Sequence, residues 1–295
     1  MNAIKRTVGF INGHPLAKYN LVSAYTRFIG WQIYTLFYHK PVAVPFIEPV
    51  KILAQKGLTG VTGNIYTGLH EFEDMSFLLH FLTEKDLFFD VGANVGSYTI
   101  LASGVKKCHT ISFEPGLKAF DFLKRNIKLN HLNDLVDPVN KGLGSEQAKL
   151  RFTSGEDTTN HIIADGEKCD QIVEIEIDCL DNYSVDRKPL LMKIDVEGFE
   201  KEVLDGAKNT LSDLTCKALI IELNGSGSRY NYNEDLIHET LLAYAFRPYS
   251  YDPFSRKLEA RPSYSDKNTI YVRDLDFVAA RLASASSYKV FNRMI

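Results

Sequence analysis

Leu87-Phe88-Phe89-Asp90-Val91-Gly92-Ala93-Asn94-Val95-Gly96 is the stretch on which the fold turns. Five β-favouring residues run into a turn bounded by two glycines, and the apolar spacing beyond predicts a helix from about Ser97 to Ser103. A glycine-rich turn between a strand and a helix lets the backbone approach a ligand, while the helix N-terminus offers unpaired N–H groups. The dinucleotide fingerprint would be G-x-G-x-x-G, whereas here Gly92 and Gly96 enclose three residues and Asp90 stands two before the first glycine. An anionic Asp90 repels a pyrophosphate but suits a cation, such as the sulfonium and ammonium groups of S-adenosylmethionine.

Outward from this turn, short β-rich runs alternate with amphipathic helices, the pattern of a mostly parallel α/β sheet. Strands are expected at His109–Phe113, at about Leu135–Val139, at Leu190–Ile194, at Ala218–Leu223, and at Arg247–Tyr251 and Thr269–Val272. Helices are expected over Leu117–Leu129, from Phe199 through Ala207, and after an Asn233 cap as far as Tyr244. The alternation Val173-Glu174-Ile175-Glu176-Ile177 predicts a half-exposed strand paired with Lys149–Thr153 as a hairpin that decorates the sheet. Residues 1–60 are read as a helical, aromatic-rich extension punctuated by Pro41, Pro45 and Pro49, residues 61–275 as the catalytic-type domain and 276–295 as a tail. The aromatics of the extension are expected to cover the core or form a homo-oligomer contact, with membrane-surface binding the weaker reading.

A net charge of -3 and a pI near 6.3 offer no broad basic field, so nucleic acid is excluded as an expected partner. Cys108, Cys169, Cys179 and Cys216 form no C-x-x-C pair, which suggests neither a zinc site nor a disulfide framework and fits a reducing cytoplasm. The start shows no cleavage site, and the most apolar run, Phe28–Tyr38, is far shorter than the ~20 residues of a transmembrane helix.

Glu114 ends the second strand, 24 residues after Asp90, where a carboxylate can accept both hydroxyls of a ribose. With Asp90-Val91-Gly92-Ala93-Asn94-Val95-Gly96, Phe113-Glu114-Pro115 and Lys193-Ile194-Asp195-Val196-Glu197-Gly198-Phe199-Glu200, followed by Val203-Leu204 and Gly206-Ala207, the chain resembles the FkbM-type methyltransferases over about residues 60–275. It departs from that pattern at Cys179-Leu180-Asp181, where the family tends to have Thr-Leu-Asp. The resemblance implies a class I, Rossmann-like sheet of seven strands with the last antiparallel, and S-adenosylmethionine-dependent transfer of a methyl group to a hydroxyl of a glycan, lipopolysaccharide sugar or small secondary metabolite. S-adenosylhomocysteine would be the product.

In open α/β sheets ligands lie beyond the carboxyl ends of the strands. This selects Asp195 and Glu197 after the fourth strand and Glu222, with Asn224 nearby, at the fifth as catalytic candidates. Asp195 and Glu197 can contact the donor, deprotonate the acceptor or hold a divalent metal, which nothing in the spacing specifically indicates. Donor contacts are expected from Asp90, Gly92, Ala93, Asn94, Gly96, Ser97, Glu114, Pro115 and Asp195. The stretch Gly63–Asp74 is read as folding over the donor, with Tyr66 and Glu71 lining its pocket as in family members and His70 a further base candidate. The loop Ser154–His161 is read as a solvated hairpin loop that can also act as a lid. Two rival functions remain at this stage: a nicotinamide-dependent oxidoreductase acting on a sugar nucleotide, and a non-catalytic binding module on the same fold. The first lacks both the glycine spacing and a Tyr-x-x-x-Lys pair, and the acidic set argues against the second.

Overall fold

The structure is a computed structural model that describes residues 3–156 and 159–295. Eight strands form its central sheet: β1 (Leu87–Val91), β2 (His109–Phe113), β3 (Val136–Val139), β4 (Leu191–Ile194), β5 (Ala218–Glu222), β6 (Arg247–Asp252), β7 (Lys257–Ala260) and β8 (Asn268–Val272). Their order across the sheet is β7-β6-β8-β5-β4-β1-β2-β3. Strands β1 to β5 run parallel, and β8 inserts antiparallel between β5 and β6. This is the class I methyltransferase arrangement. The seven expected strands are joined by one more, β7, which folds back on β6 as an antiparallel hairpin at the sheet edge.

Alternation along the strands supplies two cores. Phe88, Leu191, Ile220 and Ile270 enter the layer on one face, and Phe89, Met192, Ile221 and Tyr271 enter the other. Burying each such side chain contributes about 1.5–3 kcal/mol, and both faces of β1 and β4 are covered, so these strands carry apolar runs. Parallel register sets Asp90 of β1 directly beside Lys193 of β4, with Val91 beside Ile194. The sheet geometry therefore brings opposite charges together at its carboxyl edge.

The first of the two cores also takes in the helix Phe72–Phe81, buried along almost its whole length, and the C-terminal residues. The stretch after 275, expected as a tail, is a helix, Leu275–Ser284, followed by a small hairpin, because Val278, Leu282 and Val290 find apolar cover there. At the N-terminus, helices Ala3–Gly13 and Leu21–Phe37 precede a hairpin of Val42–Pro45 with Lys51–Ala54. Ile11, Ala24 and Trp31 pack there with Val95 and Phe122 of the main domain. The expected boundary at residue 60 falls inside the helix Thr59–Thr67. The helix after the glycine turn is short, Ser97–Thr99, and continues as a π-helical segment to Val105. The helix expected from Phe199 through Ala207 spans Glu200–Asp205, and a further short helix, Lys208–Ser212, follows it.

The insertion forms a separate three-stranded sheet in which Ala148–Thr153 and Ile172–Asp178 pair antiparallel and Gly142–Leu143 joins parallel. Asp157 and Thr158 of the loop between them lie outside the described residues. Among the described residues no helix is long and apolar enough to cross a membrane.

Candidate active site

The turn after β1 is fixed by its glycines. Gly92 has φ +78°, and a Cβ there would lie 1.8 Å from the carbonyl oxygen of Asp195. Its N–H and that of Ala93 both donate to Phe113 O, at 3.0 and 2.9 Å, which binds the turn to β2. Asp90 is buried, and its Oδ2 accepts from the Thr99 backbone N–H at 3.0 Å and the Thr99 hydroxyl at 2.6 Å. Burial raises its pKa to about 6, against the opposing pull of Lys193 and Thr99. Glu114 closes the turn: Asn94 N–H donates to its Oε2 at 2.8 Å and Gly116 N–H to its Oε1 at 2.7 Å. Burial lifts this carboxyl to about 7, with those two amides holding it down. A carboxylate has about four acceptor positions, so two backbone donors leave it able to accept two hydroxyls.

On the other side of β1, Lys193 is buried with its Nζ 2.6 Å from Asp195 Oδ2 and 4.8 Å from the centre of the Tyr98 ring. Burial alone would lower this ammonium's pKa, but Asp195, Glu71 and Asp90 raise it well above the usual value. Burial likewise pushes Asp195 up, and Lys193 more than offsets it, leaving Asp195 below the ordinary carboxylate range. Glu222 moves the opposite way, raised by burial and by the Asp195 charge. Glu197 is raised to about 7, again by burial and then by Asp195. One oxygen from each of Asp195, Glu197 and Glu222 lies within 4.8 Å of the others, a spacing that a divalent cation can use, although Lys193 already supplies positive charge there.

The loop carrying these groups is held by its own side chains. Val196 and Gly198 N–H both donate to buried Glu200 Oε1 at 3.1 Å, and Arg229 Nη1 donates to the Glu197 carbonyl at 2.7 Å. Glu200 is raised to about 7 by burial, and its Oε2 is buried without a hydrogen-bond partner among the described residues.

Asp90, Glu114, Lys193, Asp195, Glu197 and Glu222 border a cavity of about 290 Å³ at the carboxyl edge of the sheet. Among the residues expected from sequence, Asp90, Gly92, Ala93, Asn94, Ser97, Glu114 and Pro115 border it on the turn side. Asp195, Glu197, Glu222, His70 and Glu71 border it on the other. Gly96 stands behind the turn, where a Cβ would meet Leu123 Cδ1 at 2.6 Å. Tyr66 is not brought to the cavity. The helix Thr59–Thr67 turns it into the N-terminal layer, where its hydroxyl accepts from Gln32 at 3.1 Å and its ring meets Phe28 edge-on at 5.2 Å. Asn224 is exposed, its side chain accepting from Ser226 N–H at 2.9 Å.

Glu71 accepts from the Tyr98 hydroxyl at 2.6 Å and from Asn268 Nδ2 at 3.0 Å. It also borders a second cavity of about 680 Å³, which His70 and Glu222 share and which Phe10, Phe72 and Tyr249 line with aromatic surface. The His70 ring packs against Gly63 and edge-on against Phe10 at 4.9 Å. Sequence reasoning missed Tyr98, and it missed the apolar wall that Leu143, Phe152, Ile162 and Ile175 present to the first cavity from the inserted sheet. The signal for that wall was the alternation of the hairpin strands, which marks an apolar face without saying what it covers.

The family profile described as "Methyltransferase FkbM domain" matches residues 90–248. Over 150 residues the chain is 31% identical to the "Hexuronic acid methyltransferase AglP" of Haloferax volcanii, a match covering 50% of this chain and 59% of that protein, less than two thirds of its length. It is 25% identical over 192 residues to the "Methyltransferase sdnD" of Sordaria araneosa, covering 54% of this chain and 74% of that one. Among solved structures, the FkbM methyltransferase of Methylobacillus flagellatus KT superposes with a TM-score of 0.45 at 17% identity, over 72% of this chain and 52% of the other.

Proposed function

The chain belongs to the FkbM methyltransferase family, and from that premise we propose that it transfers the methyl group of S-adenosylmethionine to a hydroxyl of a sugar or glycan. One observation carries this reading: six carboxylates and two lysines border the cavity at the end of the glycine turn, an excess of negative charge suited to a cationic ligand. The family match sets aside the oxidoreductase alternative.

The groups present fit the donor. Asp90 and Asp195, with Lys193 between them, supply the field for its sulfonium and ammonium groups, and Glu114 accepts the ribose hydroxyls beside the amides that already hold it. Leu143, Phe152, Ile162 and Ile175 offer an apolar face to its base. When bound, S-adenosylmethionine supplies an electrophilic methyl group, and its product is S-adenosylhomocysteine. The acceptor is assigned to the second cavity, whose aromatic and acidic lining suits a polyhydroxylated ring, and the name of the Haloferax relative supports a sugar. Glu197, raised to about 7 and with an oxygen within 4.8 Å of one on Glu222, which borders both cavities, takes the hydroxyl proton where the two meet. Asp195 and Lys193 fix its surroundings, Glu222 holds the acceptor, and His70 lines the approach between the cavities. The four unpaired cysteines fit a cytoplasmic setting.

The test is calorimetry with S-adenosylmethionine and NAD, followed by transfer of labelled methyl to a panel of glycosides. Donor binding with label in a sugar ether is expected, and Glu197→Gln is expected to lower kcat by roughly 10²-fold or more with donor affinity retained. Binding of NAD alone, or donor binding with no methylation of any hydroxyl, would reject the proposal.

A further inference from the structure

The N-terminal helix Leu21–Phe37 carries a face that, among the described residues, is left largely open to solvent. Ala24, Trp31 and Thr35 point inward and are buried. Opposite them, Val22, Thr26, Ile29, Ile33 and Leu36 succeed one another at spacings of four and three, which puts them on one stripe. The apolar members are largely open to solvent: Val22 is 79% exposed, Ile29 and Ile33 53% each, Leu36 66%, and neighbouring Phe37 74%. Single exposed apolar residues need no explanation, but a continuous stripe along a helix marks a surface that meets something apolar.

Charge identifies the partner. Residues 1–47 contain Lys5, Arg6, Lys18, Arg27 and Lys40 and no Asp or Glu, so all 37 acidic residues of a chain with net charge -3 lie beyond them. Lys5, Arg6, Lys18 and Lys40 are exposed, while Arg27 is turned inward to donate to the Tyr66 carbonyl at 2.9 Å. A second copy docked on this stripe would bring like charges together with no acidic residue of the segment to pair them. An anionic lipid surface answers both features at once, accepting the apolar stripe into its acyl boundary and the basic flanks at its headgroups. Phe37 and Tyr38, both exposed at the end of the helix, are the residue types that settle at that boundary.

We propose that the helix Leu21–Phe37 lies in the plane of an anionic membrane surface and holds the enzyme there. Gly9, Phe10 and Gly13 of the helix Ala3–Gly13, with His14 just after it, line the second cavity, so the helix that precedes the lipid-facing one walls the chamber assigned to the acceptor. The docking itself does not depend on the catalytic reading.

Co-sedimentation of the full chain with vesicles decides it, using phosphatidylcholine alone against a mixture with 30–40% phosphatidylglycerol, roughly the range in which several basic groups and one amphipathic helix act together. Binding is expected to the mixed vesicles, to weaken with salt, and to fall at least about tenfold in Ile33→Glu with Leu36→Glu. Both positions face solvent, and an unchanged melting temperature with retained donor affinity establishes that the variant is folded. Binding that the double variant retains overturns the proposal. So does a failure of the parent chain to sediment with the mixed vesicles, whether it is a monomer by light scattering or a dimer that the double variant dissociates, the latter outcome assigning the stripe to a second copy.

Discussion

Replacing Gly92 by alanine tests the site at its tightest point, with Gly96→Ala as an internal control. Both glycines have positive φ, +78° and +90°, so an alanine at either position pays a similar conformational cost of about 1–2 kcal/mol. The steric demands differ. At Gly92 the new Cβ would sit 1.8 Å from the backbone oxygen of Asp195, and ordinary contact begins near 3.4 Å, so the two backbones must separate by about 1.6 Å. At Gly96 the obstacle is Leu123 Cδ1 at 2.6 Å, the far end of a flexible side chain. Overpacking against backbone costs about 1–3 kcal/mol more. It also moves Asp195, whose N–H donates to Val91 O at 3.1 Å, away from the cavity edge. Thermal melts and calorimetric titration with S-adenosylmethionine read the two effects. Gly92→Ala is expected to lose roughly tenfold or more in donor affinity and to melt several degrees lower, and Gly96→Ala to stay within a few-fold of the parent. Equal losses in the two variants, or parental affinity in Gly92→Ala, would refute the claim that the approach of β1 to β4 shapes the site.

Three further outcomes follow from the buried charges. Lys193→Met leaves Asp195 and Asp90 without their buried counterion, a loss of about 3–5 kcal/mol that should lower the melting temperature by on the order of 10 °C at pH 8 and by less at pH 5, where the carboxyls take up protons; an unchanged melt at both pH values would contradict it. Glu114→Gln presents an amide NH₂ to one of two backbone donors, so donor affinity should fall by roughly tenfold, measured by calorimetry. Asp90, Glu114 and Glu200 have folded pKa values of about 6, 7 and 7, above their unfolded values near 4, so the folded state binds more protons between those limits and these groups withdraw stability as pH rises from ~4 to ~7. Relative to Glu200→Gln, which removes one such group, the ligand-free parent should lose melting temperature across that window, while the stabilisation added by the cationic donor grows, and differential scanning fluorimetry of both proteins with and without the donor checks both slopes.

The parts of the site legible in the sequence are those where function and local geometry share the same residues. Asp90, Gly92 and Glu114 sit at strand ends and in a turn whose steric needs show in residue type alone. Lys193 to Glu200 is similarly local, because Glu200 accepts hydrogen bonds from its own loop. Tyr66 shows the opposite case. Its neighbourhood was legible as polar and glycine-bearing, but which way a helical side chain faces depends on what packs against the helix, here Arg27 and Phe28 from another element. The helix Phe72–Phe81 escaped notice for a related reason: buried almost all round, it lacks the polar face by which helices are recognised. The C-terminal stretch looked like a tail because its apolar residues gain meaning only against the core they cover.

Glu71 stands in the partition between the two chambers, one oxygen bound to Tyr98 on one side and the other to Asn268 on the opposite side. A hydroxyl or ammonium arriving in either chamber and claiming one of those oxygens alters what the carboxylate offers across the wall. His70 and Glu222 border both rooms as well, so a guest that draws on these groups in one room would be felt in the other, and by reciprocity any gain would be equal in both directions.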